Sequence, residues 1–427
     1  MSGAQPTGVR RPSILIVGDD FGFPYGAGAS SRVFNYAKGL LMAGADVKVL
    51  LAGVGDSADP GHNTMTRGEY RGVPFEYTNG RTTRSTSFVR RRVMHLLRWP
   101  RFALAVRRWS RRTGGLDAML VYSRQLRWVA AAWLLCRRLG ATVLHEDCEL
   151  PYAWDAPTPS MLARRWLYER VAFKAFDGCL AISTRLEAYC RDHLRPNART
   201  LMVPTLVDVA EITASIGDDT ASEDRVVYCG NMEAEIRAAV EAFAVVARDF
   251  PGLRLLVVGG PRQAPAALLD RLPELSIVDR VEFVGMVKRE TLFELLGRAR
   301  VLILPRAAAA FSQAGLPTKV AEYLAGGRPV VVTAVGDLPL YLTDGVDAYL
   351  ASSNDAQVFG QRLRDALSRP DEATEVGRRG RETATARFDP AVHGARIIAF
   401  VADLRQADAR SGVRGEPARR TVGREKR

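Results

Sequence analysis

Short runs of apolar residues alternate along the chain with segments in which apolar residues recur at helical spacing. Ser13–Gly18 is a continuous apolar run of strand length, and residues 30–42 repeat apolar side chains every three or four positions. Asp46–Leu51 is a second predicted strand. Strands and helices that alternate in this way are typical of a doubly wound parallel sheet. Further strands are predicted at residues 118–122, 142–145, 178–182 and 200–203.

The same pattern starts again in the second half of the chain, after a polar and acidic stretch. We predict this stretch, residues 206–225, to be a linker between two α/β domains of similar size, 1–205 and 226–388. The predicted fold class is therefore α/β, with two doubly wound, Rossmann-like domains. In such sheets ligands bind beyond the carboxyl ends of the strands, so the cleft between the domains is the expected site. Strands of the second domain are predicted at residues 225–229, 253–258, 281–284, 301–304 and 329–332.

The end of the chain divides into an amphipathic part and a basic part. Residues 389–404 are predicted to form a helix that packs back on the N-terminal domain. Residues 405–427 carry eight basic and three acidic residues and almost no large apolar ones. We predict this tail to be disordered, because it has too little apolar surface to bury.

Composition narrows the class of protein. Hydrophobic residues make up 47% of the 427 residues, which is ample for large cores. No apolar run approaches the roughly 18 residues of a membrane-spanning helix, and the apolar run near the N-terminus is too short for a signal peptide. The five cysteines lack metal-ligand spacing. These features predict a cytoplasmic protein with reduced thiols.

The formal net charge of +13 is unevenly distributed. No acidic residue lies between Glu76 and Asp117, whereas eleven arginines fall between Arg81 and Arg112. In residues 85–112 the arginines are interleaved with tryptophan, phenylalanine and leucine, as in segments that bind anionic membrane surfaces. The alternative is a solvated helix whose apolar side packs on the core. We predict peripheral attachment to the inner face of the cytoplasmic membrane, and no specific nucleic-acid binding, because no recognised nucleic-acid module accompanies the charge.

A glycine-rich stretch, Gly26-Ala27-Gly28, precedes the first predicted helix. Glycines at such a place let backbone amides approach a phosphate or a sugar, and the helix N-terminus favours negative charge. The stretch begins eight residues after the strand, and the second strand ends without an acidic residue. A dinucleotide site is therefore disfavoured. A turn that serves packing alone is the other interpretation.

Residues 315–333 (GLPTKVAEYLAGGRPVVVT) combine several features of a phosphate site. Pro317 suits the first turn of a helix, and Lys319 and Glu322 share one face of it. The helix amides and the lysine can hold phosphate, while the carboxylate can accept hydrogen bonds from ribose hydroxyls, as binding of a nucleoside diphosphate requires. A surface ion pair between the two side chains is the alternative.

His145 and Asp147 lie at the end of an apolar strand, where catalytic loops of such sheets are found. His145 could serve as a hydrogen-bond donor or a base, because its ordinary pKa lies near operating pH. A structural histidine is an equally good interpretation. The neighbouring acidic residues match no strong metal-ligand pattern, and the chain contains no G-x-S-x-G elbow, Walker loop or H-E-x-x-H motif.

Several ordered segments together resemble the GT-B glycosyltransferases, specifically the retaining branch called glycosyltransferase family four or group one. FPYGAGASSRVFNYAKGLLMAGADVKVL is similar to the opening loop and helix of that family. VVYCGN, followed by VEAFAVVARDFPGLRLLVVGG, is similar to the start of its donor domain, and GLPTKVAEYLAGGRPVVVTAVGD to its most specific region. The resemblance spans nearly the whole chain. It implies the GT-B fold and transfer of a sugar from a nucleotide-diphosphate sugar.

The resemblance also implies roles for individual residues. Glu322 matches the glutamate that binds the donor ribose, and Gly26–Gly28 match the loop near the donor diphosphate. His145 matches the histidine that contacts the transferred sugar, with Asp147 as the other candidate. Members of this kind need no metal ion or other cofactor and often act on lipid-linked acceptors; a cell-envelope polysaccharide or a small molecule is the other expectation for the acceptor. Further donor-binding positions are implied at Gly230, Asn231, Arg306, Gly315, Leu316, Pro317, Thr318 and Lys319.

The chain departs from the family pattern at two positions. Ala314 stands where the first glutamate of the paired motif is expected, and Asn231 stands where an arginine is common. Lys319 or Arg306 is then expected to supply the cation for the diphosphate. Two alternatives stay open: a nucleotide-sugar epimerase of the same architecture, and a catalytically degenerate relative that serves as a binding or scaffold subunit.

Overall fold

The computed structural model describes residues 10–19, 21–26, 28–53, 63–83, 87–150, 158–217 and 221–410. Eight strands form the first sheet: β1 (Ser13–Gly18), β2 (Asp46–Leu51), β3 (Arg67–Tyr70), β4 (Val73–Tyr77), β5 (Ala118–Tyr122), β6 (Thr142–Asp147), β7 (Gly178–Ala181) and β8 (Arg199–Met202). Their order is β3-β4-β2-β1-β5-β6-β7-β8. All neighbours are parallel except β3 and β4, which are antiparallel.

Strand β1 explains why this sheet needs helices on both faces. All six of its residues are buried. Ile14 and Ile16 belong to one hydrophobic cluster, and Leu15 and Val17 to the other. A strand that is covered on both sides has no polar face, which is why its sequence is an unbroken apolar run. The first sheet is flanked by α1 (Gly28–Met42), α2 (Phe88–Arg112), α3 (Leu126–Leu139), α4 (Pro159–Leu167) and α5 (Thr184–His193).

The second sheet is parallel throughout. Its strands are β9 (Arg225–Cys229), β10 (Arg254–Val258), β11 (Val281–Gly285), β12 (Val301–Leu304), β13 (Val330–Thr333) and β14 (Tyr349–Ala351), in the order β11-β10-β9-β12-β13-β14. Strand β9 therefore lies at the centre, where the strand order reverses. The helices between them are α7 (Glu233–Ala247), α8 (Ala266–Leu269), α9 (Arg271–Glu274), α10 (Arg289–Gly297), α11 (Ala310–Ala314), α12 (Thr318–Ala325) and α13 (Leu338–Tyr341). The helix of the linker is α6 (Val209–Ile216).

The predicted linker is not wholly irregular. Its residues include the helix α6, in which Val209 and Ile212 are buried. Asp208 caps this helix by accepting a hydrogen bond from the backbone amide of Glu211 over 3.2 Å. The polar composition that predicted a linker therefore includes the exposed positions of a short helix.

The last three helices are α14 (Ala356–Ser368), α15 (Pro370–Phe388) and α16 (Pro390–Arg410). Helix α16 lies against α1 of the first domain, and the two backbones cross closely: a Cβ on Gly394 would lie 2.1 Å from the carbonyl oxygen of Gly39. The helix continues to Arg410, so the prediction of disorder from residue 405 was wrong for its first six residues. Residues 411–427 lie outside the described residues.

The two doubly wound sheets confirm the predicted α/β class. The hairpin β3–β4 and the edge strand β14 were not predicted. In β3 three of four residues are exposed, so this strand has no continuous apolar run. Among the described residues, no helix is both long enough and apolar enough to cross a membrane.

Candidate functional site

Two direct contacts join the carboxyl ends of the two sheets. Ser183, which follows β7, donates a hydrogen bond from Oγ to the carbonyl oxygen of Ala314 over 2.5 Å. The amide and the hydroxyl of Thr184 both donate to the carboxylate of Asp337, each over 2.6 Å. Ala314 follows β12 in the chain and Asp337 follows β13. The loops at the carboxyl ends of one sheet therefore face those of the other, which is where ligands bind in such folds.

The segment that carries Ala314 is held from both sides. Ala314 is 1% exposed. Gly336 donates from its backbone amide to Oε1 of Gln313 over 3.1 Å. With φ at +58°, Gly336 adopts a left-handed conformation, and a Cβ there would lie 3.0 Å from the carbonyl oxygen of Ser312. A glutamate in place of Ala314 would have to enter this packed contact, which is a physical reason for the departure from the family pattern.

Five residues of the second domain meet where β9 and β12 end. We call them the Glu235 cluster: Tyr228, Gly230, Glu235, Arg306 and Lys319. Tyr228 donates its hydroxyl to Oε2 of Glu235 over 2.9 Å, and Nζ of Lys319 lies 3.8 Å from the same oxygen. A Cβ on Gly230 would lie 2.5 Å from Nζ of Lys319 and 2.2 Å from the Tyr228 hydroxyl. The lysine head group therefore packs on the glycine backbone after β9.

Arg306 enters the same cluster from the loop after β12. Its Nε lies 3.7 Å from Oε1 of Glu235, and its backbone amide donates to the hydroxyl of Thr333 over 3.1 Å. The guanidinium also lies over the ring of Phe311, 5.0 Å from its centre. Only 8% of Arg306 is exposed, and burial lowers the pKa of its guanidinium. Among the described residues, Nε has no hydrogen-bond partner.

Glu322 lies one turn beyond Lys319 on α12 and is held by a different cation. Nη1 of Arg289 donates to Oε1 of Glu322 over 3.2 Å. Burial raises the pKa of the Glu322 carboxyl, and Arg289 and then Lys319 oppose that rise. The side chain of Glu322 is 16% exposed to solvent. A ribose that bound here would share the carboxylate with Arg289.

Arg289 connects Glu322 to the linker helix and to the first domain. Its Nε donates to Oε1 of Glu211 on α6 over 3.2 Å. Arg71, in the turn between β3 and β4, donates to the same Glu211 carboxylate and lies 3.7 Å from Glu290. Although burial raises the pKa of the Glu211 carboxyl, Arg71 and Arg289 bring it below its ordinary value. The chain of alternating charges runs from the second domain to the first.

The other predicted donor-binding positions are spread over three loops. Asn231 is exposed after β9, and Thr318 is half-buried where α12 begins. The amide of Gly315 is already bonded to the carbonyl of Phe311 over 2.9 Å. Leu316 and Pro317 are buried, so their side chains serve packing and only their backbone can face a ligand.

The glycine-rich stretch follows β1 at the carboxyl edge of the first sheet. Gly26 and Gly28 are exposed, and Gly28 opens α1. A Cβ on Gly26 would lie 2.2 Å from Oγ of Ser30, so a side chain at this position would require Ser30 to move. Ala27 lies outside the described residues. The predicted role of Gly26–Gly28 near a diphosphate stays a prediction.

The structure places His145, the first catalytic candidate, in the core of the first domain, and its catalytic role stays a prediction. It is 0% exposed, and its ring stacks on Phe176 with 4.6 Å between centres. Nε2 bonds the hydroxyl of Tyr168 over 2.8 Å, and Nδ1 bonds the carbonyl of Val121 over 3.2 Å. Burial lowers the pKa of His145 to about 3. With both ring nitrogens engaged, these surroundings favour the structural histidine that the sequence left as an alternative.

Asp147 shares that face of β6 and is also fully buried. Oδ1 accepts a hydrogen bond from Nη2 of Arg124 over 2.8 Å, while Oδ2 has no partner among the described residues. Burial raises the pKa of the Asp147 carboxyl, and Arg124 opposes that rise. Arg124 covers the carboxylate from the loop after β5. A direct contact of Asp147 with a sugar would require Arg124 to move.

Sequence reasoning missed Glu235, Arg289 and Glu211. Glu235 lies in the first turn of a helix, where acidic residues are common because of the helix dipole. Nothing in the sequence indicates that it is 4% exposed between two cations. No group of three or more His, Cys, Asp or Glu side chains in the described ranges is placed to hold a metal ion.

Several curated proteins and several solved structures are similar to this chain. D-inositol 3-phosphate glycosyltransferase of Mycobacteroides abscessus is 29% identical over 272 residues, which are 58% of each chain. The chain thus spans less than two thirds of the length of that relative. Sucrose-phosphate synthase from Thermosynechococcus elongatus aligns with 93% of this chain and 100% of its own, at 21% identity and a TM-score of 0.65. Anabaena HepE, solved in complex with UDP and glucose, aligns with 91% of this chain and 99% of its own, at 14% identity and a TM-score of 0.61.

Two family profiles divide the chain between them. The profile described as Glycosyl transferase 4-like domain matches residues 27–205, and the profile described as Glycosyl transferases group 1 matches residues 223–369. They follow the two sheets in order. The structural likenesses confirm the GT-B arrangement of two Rossmann-like domains that the sequence predicted. The chain therefore belongs to the group 1 glycosyltransferases, family four of the GT-B fold.

Proposed function

We propose that this chain transfers a sugar from a nucleotide-diphosphate sugar to an acceptor hydroxyl, with retention of the anomeric configuration and without a metal ion. The observation that carries the proposal is the meeting of Lys319 and Arg306 at Glu235, with Nζ of Lys319 against the backbone of Gly230 and Glu322 one turn further along α12. Two cations at one end and a carboxylate at the other match a diphosphate joined to a ribose. Membership of the family supports the same assignment.

The proposed reaction exchanges one bond at the sugar. The bond between C1 and the diphosphate oxygen breaks, and the acceptor oxygen bonds to C1 from the same face. The acceptor proton passes to the leaving phosphate oxygen. Lys319 and Arg306 would stabilise the negative charge that develops there, which is a large electrostatic contribution. Because Arg306 is already out of water, its attraction for the phosphate is stronger than at an exposed site.

A uridine nucleotide is the first donor to test, since HepE was solved with UDP and glucose. The acceptor is a wider question. The curated relative is named for D-inositol 3-phosphate, and our predictions are a cell-envelope polysaccharide, a lipid-linked acceptor or a small molecule. An epimerase would convert the donor sugar without any acceptor, so an acceptor-free incubation separates that alternative.

The exposed face of α2 supports a lipid-linked acceptor and a site of action at the inner face of the cytoplasmic membrane. Phe102 and Val106 of this helix are buried, whereas Leu97 and Leu104, seven residues apart on one face, are 39% and 53% exposed. Exposed arginines lie beside these apolar side chains. Such a face can insert apolar groups into the headgroup region while its cations meet anionic lipid.

A thermal-shift panel tests the donor assignment. UDP, GDP, ADP and their sugar conjugates are added to the wild type, to Glu322→Ala and to Glu294→Ala, an exposed position on α10. We expect one nucleotide family to stabilise the wild type and the Glu294 control but not Glu322→Ala, because ligand binding to the folded state raises its stability. No shift with any nucleotide would overturn the proposal, and binding without turnover would favour the degenerate binding subunit.

A further inference from the structure

Glu235 places a negative charge between the two cations that the proposed function assigns to the donor diphosphate. Its carboxylate lies 3.7 Å from Nε of Arg306 and 3.8 Å from Nζ of Lys319. Both separations are longer than direct hydrogen bonds. Among the described residues, only the Tyr228 hydroxyl donates a direct hydrogen bond to this carboxylate, over 2.9 Å. Glu235 therefore lies near the cations without using up their donors.

The charges of the Glu235 cluster do not cancel. Two cations and one carboxylate leave a net charge of +1. In addition, Nε of Arg306 has no hydrogen-bond partner among the described residues, and only 8% of the residue is exposed to water. A buried donor without a partner is costly, and a bound anion would satisfy it. The geometry is that of an anion site whose affinity for the anion is reduced by the carboxylate of Glu235 beside the two cations.

We infer that Glu235 is a positioning residue that sets how tightly the diphosphate of the donor and of the product is held. It keeps Arg306 and Lys319 in place when the site is empty, and it weakens their combined pull on a diphosphate. A site with two uncompensated buried cations would retain the product nucleoside diphosphate. The inference rests on the proposed function and names a residue that acts through the cations rather than on the sugar.

Glu235→Gln is the direct test, because glutamine keeps the volume and can still accept the Tyr228 hydroxyl. Binding of UDP, inorganic pyrophosphate and uridine is measured by calorimetry at two salt concentrations. We expect Glu235→Gln to bind UDP and pyrophosphate about tenfold more tightly than the wild type at low salt, with uridine unchanged. The gain should shrink as salt screens the added charge. Inhibition by UDP should tighten by the same factor in a turnover assay.

Glu233→Gln is the matched control. Glu233 lies in the same first turn of α7 but is exposed. Its substitution removes the same formal charge, so a general electrostatic effect would appear in both variants and a specific one only at Glu235. Equal gains from the two variants would overturn the inference.

A double variant distinguishes a failure to fold from a failure of the inference. If Glu235→Gln does not fold, the double variant Glu235→Ala with Tyr228→Phe removes both partners of the Tyr228–Glu235 hydrogen bond, so that neither is left buried without the other. It should also tighten pyrophosphate binding. A wild type that binds no nucleoside diphosphate would overturn the proposed function. A wild type that binds UDP, with folded Glu235 variants that bind it no more tightly, would overturn the inference alone.

Discussion

Arg289 donates a hydrogen bond to Glu322 over 3.2 Å, so the carboxylate expected to hold the donor ribose is already bonded to a cation of α10. Burial raises the pKa of this carboxyl and Arg289 opposes the rise. The ionised form, which is the one expected to accept hydrogen bonds from ribose hydroxyls, therefore depends on the arginine. Arg289 also bonds Glu211 of the linker helix, so the same side chain reaches from the nucleotide site to the segment between the domains.

Replacing Arg289 with glutamine should make nucleotide binding more sensitive to acid. Without the cation the pKa of Glu322 rises further, and a larger share of the carboxyl is protonated as the pH falls. We expect the affinity of Arg289→Gln for UDP to decline at a higher pH than that of the wild type. Calorimetry between pH 5.5 and pH 8 is the measurement. Arg298→Gln, an exposed arginine at the end of the same helix, is the control, and parallel pH profiles for Arg289→Gln and wild type would contradict the prediction.

Restoring the family glutamate at Ala314 should not help this protein. Ala314 is 1% exposed under Ser183, so the larger side chain must displace packed atoms, at a cost of about 1–3 kcal/mol before its charge is counted. We expect Ala314→Glu to lower the midpoint of thermal unfolding and to leave donor affinity no better. Ala308→Glu, at an exposed position before α11, should be neutral. A stable Ala314→Glu variant with faster turnover would show that the contact opens during catalysis.

Thr184 and Asp337 should be energetically coupled across the two domains. Asp337 is 4% exposed and accepts two hydrogen bonds from Thr184. In a double-mutant cycle of Thr184→Ala and Asp337→Ala, we expect a coupling energy of about 0.5–3 kcal/mol in urea unfolding. Asp337→Ala should also increase the radius of gyration in X-ray scattering.

Asp355→Ala is the control for that cycle. Asp355 caps α14 and bonds the amides of Gln357 and Val358 within its own domain. It should lower stability through the lost cap but show no coupling to Thr184. Coupling energies that are equal for Asp337 and Asp355 would mean that Thr184 does not join the domains.

Much of the fold could be predicted from the sequence because the strands of a sheet covered on both faces are unbroken apolar runs. Ser13–Gly18, Asp46–Leu51 and Val301–Leu304 were predicted with the bounds that the structure has. The hairpin of β3 and β4 was missed because β3 is exposed at the edge of the sheet. The linker helix α6 was missed because its two buried residues lie in a segment of acidic composition.

The site was harder to predict for a different reason. The spacing of Lys319 and Glu322 correctly placed both on one helix, but it could not show that each has its own partner, Glu235 and Arg289. The position of His145 near a strand end suggested chemistry. Whether the imidazole is open to a ligand or buried depends on Tyr168 and Phe176, which come later in the chain and pack against the ring.

The structural assignment of His145 gives a prediction for the pH dependence of stability. Burial lowers its pKa to about 3, whereas an unfolded histidine titrates near ~6.5. Protons therefore bind the unfolded chain first, and this contribution to stability is present above pH ~6.5 and is lost as the pH falls toward 3, by about 1.4 kcal/mol per unit.

The double variant His145→Phe with Tyr168→Phe removes that contribution together with the His145–Tyr168 hydrogen bond. Between pH 7.5 and pH 5.5 we expect the wild type to lose about 1.4 kcal/mol more in urea unfolding than the variant. Turnover of folded protein should be unchanged, because the imidazole does not reach the cleft. A fall in kcat of several orders of magnitude with intact stability would instead restore a catalytic role.

The exposed face of α2 gives the last prediction, which concerns binding to anionic membranes. Leu104, Arg107 and Arg111 recur at helical spacing and are all exposed. We expect the protein to float with vesicles that contain anionic lipid at low salt, and to be released as salt screens the arginines. Leu104→Ser should weaken this binding about tenfold, because an apolar side chain is no longer buried in the headgroup region.

Leu340→Ser is the control for that change. Leu340 is 62% exposed on α13 of the other domain, so it loses the same apolar group from a surface without neighbouring arginines of α2. If the face of α2 is the docking surface, Leu340→Ser floats as the wild type does, and Arg107→Glu with Arg111→Glu does not float. If the wild type fails to bind anionic vesicles at low salt, the arginines of α2 face solvent only. A soluble acceptor would then be favoured over a lipid-linked one, because neither Leu104 nor the neighbouring arginines would contact lipid.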